Sequence, residues 1–189
     1  MWRGRVEPDT TAGEDRRSAR RRWVASTLLA VGVHEADAER GLASEIAGRC
    51  SRAVGWSAAG AEILLALGGS RPIAVDLEAC APRRDLAGLL NRYFAPAERA
   101  WIWSARDREA AFAAGWACKE AALKLLRRGL RCDPARIEIG APGDTHDSRS
   151  VQLDGRRVEA RVYPLLAGAG HAAALAIALA PVADLDNNR

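Results

Sequence analysis

Two hydrophobic periods organise this chain. From residue 108 to 129 the apolar positions follow the spacing of an α-helix, and the centre reads GWACKEAALKLL, from Gly115 to Leu126. Residues four apart share a helix face, so Phe112, Trp116, Glu120 and Lys124 form one slowly turning stripe, aromatic at its start and charged at its end. Upstream, IAVDLE alternates as a strand does: Ile73, Val75 and Leu77 fall on one face, Ala74, Asp76 and Glu78 on the other. The apolar run from Glu62 to Leu67 ends in Gly68-Gly69-Ser70. The pattern therefore predicts a β-hairpin whose second strand carries the two carboxylates.

The remaining elements read more briefly. Residues 1–14 form a loose lead-in, and residues 15–30 a helix that is basic first and apolar later, with Asp15 or a neighbour as its cap. Residues 31–60 carry the weakest pattern, with a short helix over 34–40 and a weak strand over 42–46. Helices follow over 85–93 and 97–104, the second opened by Pro96. Strands are expected over 136–139, 151–153, 156–163 and 172–179, with Asp154-Gly155 as a tight hairpin turn, a polar loop over 140–150 and a frayed tail over 181–189. Both halves offer helices and antiparallel strands. The expected fold is α+β, with two similar lobes: an N-terminal lobe over 15–75 and a C-terminal lobe over 76–180.

Composition narrows the class. Hydrophobic residues make up 49% of the chain, which excludes global disorder, and no run is long and apolar enough to span a bilayer. The charged start lacks the apolar core of a signal peptide, so the reading is cytoplasmic. Cys50, Cys80, Cys118 and Cys132 are scattered, which favours reduced thiols, and His34, His146 and His171 have no zinc-site spacing. The net charge of +4 is concentrated in Arg16, Arg17, Arg20, Arg21 and Arg22, and in Arg127, Arg128 and Arg131. Such clusters attract anionic partners, and a phosphorylated cofactor, an acidic protein and nucleic acid all qualify.

Two carboxylates on one strand face and a third on a helix can hold a hard cation such as Mg²⁺, which prefers oxygen ligands and keeps positions open for substrate phosphates. A lysine one turn along the helix suits the phosphate. Each piece alone is ordinary. Strands often carry acids on a wet face, and Glu to Lys at i, i+4 is common helix surface chemistry.

The combination resembles the 4′-phosphopantetheinyl transferases, in particular the longer pseudo-dimeric type that modifies carrier proteins of secondary metabolism. The motifs are Asp76-Leu77-Glu78, Phe94 to Glu98, and Trp116 to Lys124 with Lys119, Glu120 and Ala121 in register. The resemblance implies two lobes in a pseudo-twofold arrangement with the active site in the cleft between them, the N-terminal lobe serving the nucleotide of coenzyme A. It implies transfer of phosphopantetheine from coenzyme A to a serine of an acyl or peptidyl carrier protein, releasing adenosine 3′,5′-bisphosphate. By resemblance Asp76, Glu78 and Glu120 bind Mg²⁺, Glu120 takes the serine proton, and Lys124 neutralises the phosphate. Arg20, Arg49, Ser57, Lys119 and Lys124 are the expected coenzyme A contacts. Acidic carrier helices are expected to meet Arg127, Arg128 or Arg131.

The first lobe departs from the family pattern. Gly48-Arg49-Cys50 stands where the family has Gly-Lys/Arg-Pro, and Ala58 stands where relatives carry a histidine against the 3′-phosphate of coenzyme A. Thr27 stands where relatives often carry another phosphate-binding arginine. An inactive relative that only holds a carrier protein or ligand is the alternative. A nucleic-acid binder is disfavoured, because no aromatic stacking platform stands beside the arginines. Two lobes in one chain make a monomer the default.

Overall fold

The computed structural model describes residues 2–5, 15–30, 53–127, 132–140, 148–165 and 167–179. Within them the chain builds two antiparallel sheets. The first has the order β1-β3-β2, from β1 (Trp2–Arg5), β2 (Val54–Ala59) and β3 (Glu62–Leu67). The second has the order β4-β8-β7-β6-β5, from β4 (Ile73–Ala79), β5 (Ile137–Ile139), β6 (Arg149–Leu153), β7 (Arg156–Leu165) and β8 (His171–Ala178). Helix α1 (Arg16–Ala30) covers the first sheet. Helices α2 (Leu86–Tyr93), α3 (Pro96–Ser104) and α4 (Arg108–Leu125) accompany the second. The fold is α+β, as expected.

Strand alternation sets the layers. Val54, Trp56 and Ala58 of β2, with Ile63, Leu65 and Leu67 of β3, face Ala19, Val24 and Leu28 of α1. On the other side of that sheet, Leu64 and Ala66 meet Ile73, Val75 and Leu77 of β4. The opposite face of the second sheet, through Ala74, Ala174 and Ala176, takes Ala117, Cys118, Ala121 and Leu125 of α4. The order of layers is helix, sheet, sheet, helix, and β4 is covered on both faces. Alanines along β8 and α4 let helix and sheet approach closely. Gly115 does the same on the far side of α4, where a Cβ would stand 2.9 Å from the ring of Phe94.

Local chemistry explains the element ends. Asp15, Asp85 and Asp107 each accept a hydrogen bond from a backbone N–H in the first turn of their helix, at Ser18, Gly88 and Ala110. Pro96 opens α3, where its missing N–H costs nothing. Asp154 and Gly155 both take positive φ, 52° and 73°, the backbone a tight two-residue hairpin requires. Cys80, Cys118 and Cys132 are free thiols. Among the described residues no helix is long and apolar enough to cross a membrane.

Several expectations change. The strand of 62–67 does not form a hairpin with that of 73–79: β3 pairs with β2 and β1, and β4 pairs with β8. The turn between β2 and β3 is at Gly60, whose φ is 61°, and Gly68-Gly69-Ser70 instead carries the chain from one sheet to the other. The expected boundary between residues 75 and 76 falls within β4, and the chain passes from the first sheet to the second ahead of that strand. Residues 2–5 are a strand rather than loose lead-in. Helix α4 ends at Leu125 instead of residue 129, because Arg127 takes a φ of 53° and leaves the helical path. The expected likeness of the two lobes is not carried by the described residues, which give unequal sheets. The short helix over 34–40, the strand over 42–46, Arg49, Arg128, Arg131 and the tail lie outside the described residues.

Candidate active site

Two edge strands make the site. β2 is the last strand of the first sheet and β4 of the second, and they cross so closely that a Cβ on Gly55 would stand 3.3 Å from Ala74 Cα and Val75 N. The odd positions of β2 point toward that crossing, which brings Ser57 to Asp76. Helix α4 approaches the same edge from the other face and delivers Glu120 and Lys124.

Asp76 is 5% exposed, so it is not an acid on a wet strand face. Its Oδ1 accepts from Ser57 Oγ at 3.0 Å and from Lys124 Nζ at 2.7 Å. Lys124 Nζ also donates to Ser57 Oγ at 3.2 Å and to the Val75 carbonyl, on the backbone of β4, at 3.4 Å. The three N–H bonds of the ammonium are thus matched by three acceptors. Asp76 Oδ2 is buried and has no hydrogen-bond partner.

Glu78 and Glu120 feel this arrangement. Burial, then the Asp76 carboxylate and more weakly Glu120, push the Glu78 carboxyl up to about 7, against the pull of Arg83. Burial first and Asp76 second also raise Glu120, opposed by Lys124. Arg83 is a member that sequence reasoning missed. It stands 4.0 Å from Glu78 and 3.5 Å from Glu109, with its guanidinium 4.3 Å from the centre of the Phe112 ring. Nothing in the run Pro82-Arg83-Arg84 singles it out from its neighbour. The aromatic start of the α4 stripe is a stacked pair, Phe112 and Trp116, with ring centres 6.1 Å apart.

The expected cation set is not preformed. Among the described residues no group of three or more His, Cys, Asp or Glu side chains is gathered closely enough to hold a metal ion as it stands. The residues nevertheless fit one in chemistry. A buried carboxylate oxygen lacks any partner, two neighbouring carboxyls are raised partly by mutual repulsion, and the donors are all oxygen.

Lys119 is set apart from Asp76, Glu120 and Lys124. A helix turns about 100° per residue, so the neighbour of Glu120 looks elsewhere, and Lys119 is fully buried. Its Nζ pairs with Glu98 Oε2 at 2.9 Å and donates to the carbonyl of Ile137. Glu98 also accepts from the backbone N–H groups of Ala95 at 2.7 Å and Ile139 at 2.8 Å. The Phe94-to-Glu98 motif is thereby accounted for as structure, joining α3, α4 and β5. Arg20 donates to the Gly60 carbonyl at the β2–β3 turn. Ala58 faces α1, on the side of β2 opposite Ser57.

The model of the 4′-phosphopantetheinyl transferase superfamily matches residues 72–178. That stretch holds β4, α4 and the rest of the second sheet, including Asp76, Glu78, Glu120 and Lys124, and leaves Ser57 and Arg20 outside. A holo-[acyl-carrier-protein] synthase of Anaeromyxobacter dehalogenans is 38% identical over 94 residues, which are 48% of this chain and 73% of that one. A second, from Trichlorobacter lovleyi, is 36% identical over 75 residues, 40% of this chain and 60% of the relative's length. The crystal structure of Thermotoga maritima holo-[acyl-carrier-protein] synthase aligns with a TM-score of 0.43 at 17% identity, over 56% of this chain and 61% of that one.

Proposed function

Because the chain belongs to the 4′-phosphopantetheinyl transferase superfamily, we propose that it moves phosphopantetheine from coenzyme A to a serine hydroxyl of an acyl or peptidyl carrier protein, with Mg²⁺. The observation that carries this reading is the buried Asp76 carboxylate, one oxygen held by Ser57 and Lys124 and the other without a partner, beside the raised carboxyls of Glu78 and Glu120. Asp76, Glu78 and Glu120 would hold the divalent ion, after side-chain movement that gathers them. When bound, the ion supplies positive charge to the pyrophosphate of coenzyme A.

The chain's own groups do the rest. Glu120 accepts the proton of the carrier serine. The serine oxygen forms a bond to the phosphorus next to pantetheine. The bond from that phosphorus to the bridging oxygen breaks, and adenosine 3′,5′-bisphosphate leaves. Lys124, partly exposed at 37%, gives up a contact at the β4 edge to meet the charge on the phosphate. Alignment and electrostatics then supply most of the rate.

A site assembled inside one chain from β2, β4 and α4 is consistent with action as a monomer; we read the chain as the longer, pseudo-dimeric type, cytoplasmic and acting on carriers of secondary metabolism, from the motifs alone. The test is mass spectrometry of a panel of apo carrier proteins incubated with the protein, coenzyme A and Mg²⁺. At least one carrier should gain a single phosphopantetheinyl group, and the gain should vanish with a chelator. No gain on any acyl or peptidyl carrier would overturn the reading.

A further inference from the structure

Ser57 was expected to donate a hydrogen bond to coenzyme A. Its geometry argues for another task. A hydroxyl has one proton, and that of Ser57 is directed at Asp76 Oδ1, 3.0 Å away, while Lys124 Nζ occupies the acceptor side at 3.2 Å. The residue is 8% exposed and sits on the face of β2 turned to β4. Donation to a cofactor phosphate would strip Asp76 of a partner in a buried setting.

The Asp76 carboxylate is held unevenly. Oδ1 takes both donors and Oδ2, equally buried, takes none. Buried acceptors normally find partners, so an orphan beside two satisfied contacts marks an oxygen reserved for something absent from the protein itself. Lys124 fixes Oδ1 from α4 but lies on a long, partly exposed side chain. Ser57 fixes it from a short side chain on a strand whose backbone is pressed against β4 at Gly55. Of the two, Ser57 is the rigid one.

Resting on the reading of Asp76, Glu78 and Glu120 as a divalent-cation site, we propose that Ser57 is a positioning residue for that site. It holds Oδ1 so that Oδ2 is the oxygen left for the cation, and it makes the first sheet a contributor to metal affinity. Hydrogen-bond partners that orient a metal ligand are commonly worth about 10- to 100-fold in affinity.

The test is titration of the full-length protein with Mn²⁺ in the absence of coenzyme A, reading free Mn²⁺ by electron paramagnetic resonance, for wild type and Ser57→Ala. Melting temperatures establish that the variant is folded, which the loss of one oxygen should permit. The expected result is an Mn²⁺ Kd raised about 10-fold or more, with transfer activity recovered at saturating Mn²⁺ and the KM for coenzyme A little changed. An unchanged Mn²⁺ Kd together with a raised KM for coenzyme A would overturn the proposal and return Ser57 to the cofactor. If wild type binds no Mn²⁺ in this titration or in its repeat with coenzyme A present, the cation reading of the site fails and this proposal falls with it. If wild type and Ser57→Ala bind Mn²⁺ equally, Ser57 alone is misassigned.

Discussion

Helix α4 carries two lysines, each paired with a buried carboxylate, and the pairs are built differently. Lys119 is fully buried against Glu98, and every oxygen of that glutamate is used, by Lys119 and by the backbone N–H groups of Ala95 and Ile139. Lys124 is partly open to solvent, and its partner Asp76 keeps one buried oxygen empty. A closed, fully satisfied pair ties segments together and has nothing left to bind. An open pair with an orphaned oxygen is stable only in part and is ready to change partners. Helix spacing puts Lys124, and not Lys119, on the face of Glu120; satisfaction of hydrogen bonds shows what each pair does.

The comparison breaks most visibly at the closed pair. Lys119→Met leaves the Glu98 carboxylate buried without its cation, a change that typically costs about 3–5 kcal/mol from a total of roughly 5–15 kcal/mol. Denaturant melts should show this loss, and Glu98→Gln in the same chain should recover much of it. A Lys119→Met protein of wild-type stability that binds coenzyme A poorly would invert the assignment of the two lysines.

At the open pair the effect should move from stability to rate. Lys124→Met should lower kcat by about 10²–10³-fold while costing less stability than Lys119→Met, because the lysine end of this pair is partly open to solvent even though Asp76 is buried. Stopped-flow or mass-based transfer assays beside a melting curve separate the two. A smaller effect tests whether the closed side sets the open one. Gly115→Ala places a methyl 2.9 Å from the Phe94 ring and should cost about 1–3 kcal/mol by overpacking. Because it shifts α4, it should also slow transfer. Unaltered transfer in a destabilised protein would show that the aromatic side does not hold Glu120 and Lys124 in place.

The smallest effect concerns pH in the metal-free protein. The Glu78 carboxyl lies near 7 when folded against an ordinary 4.5. Below the ordinary value both states hold the proton. As pH rises toward and past 7 the unfolded state ionises first, so this group's contribution to stability is lost over that window. Glu78→Gln, which cannot ionise, should therefore gain on wild type as pH rises and level off above about 7. Melting temperatures measured across that range check it; a constant difference would place Glu78 in ordinary solvent.

How much of this was legible follows the same physics. Strong periodicity exposed α4 and β4, and the motif spacing correctly directed attention to Asp76, Glu120 and Lys124 as neighbours. The pairing of β3 was misread, because an apolar run followed by Gly-Gly-Ser looks the same whether the chain folds back or crosses to a second sheet. β2 was not read as a strand, since Val54 to Ala59 is short and four of its six residues are small. β1 gave no signal, as a strand of Trp2 to Arg5 alternates too briefly to stand out. The pairing of Lys119 with Glu98 was not legible, because the two are distant in sequence. The free oxygen of Asp76 has no sequence signature at all.

The most direct measurement is the rate at which Asp76→Asn modifies an apo carrier protein with coenzyme A and Mg²⁺, taken with its melting temperature. The substitution keeps shape and removes a buried charge next to Glu78 and Glu120. Transfer should fall by on the order of 10²-fold or more in a protein at least as stable as wild type. Near-normal transfer, or loss of transfer only through loss of the fold, would contradict the account.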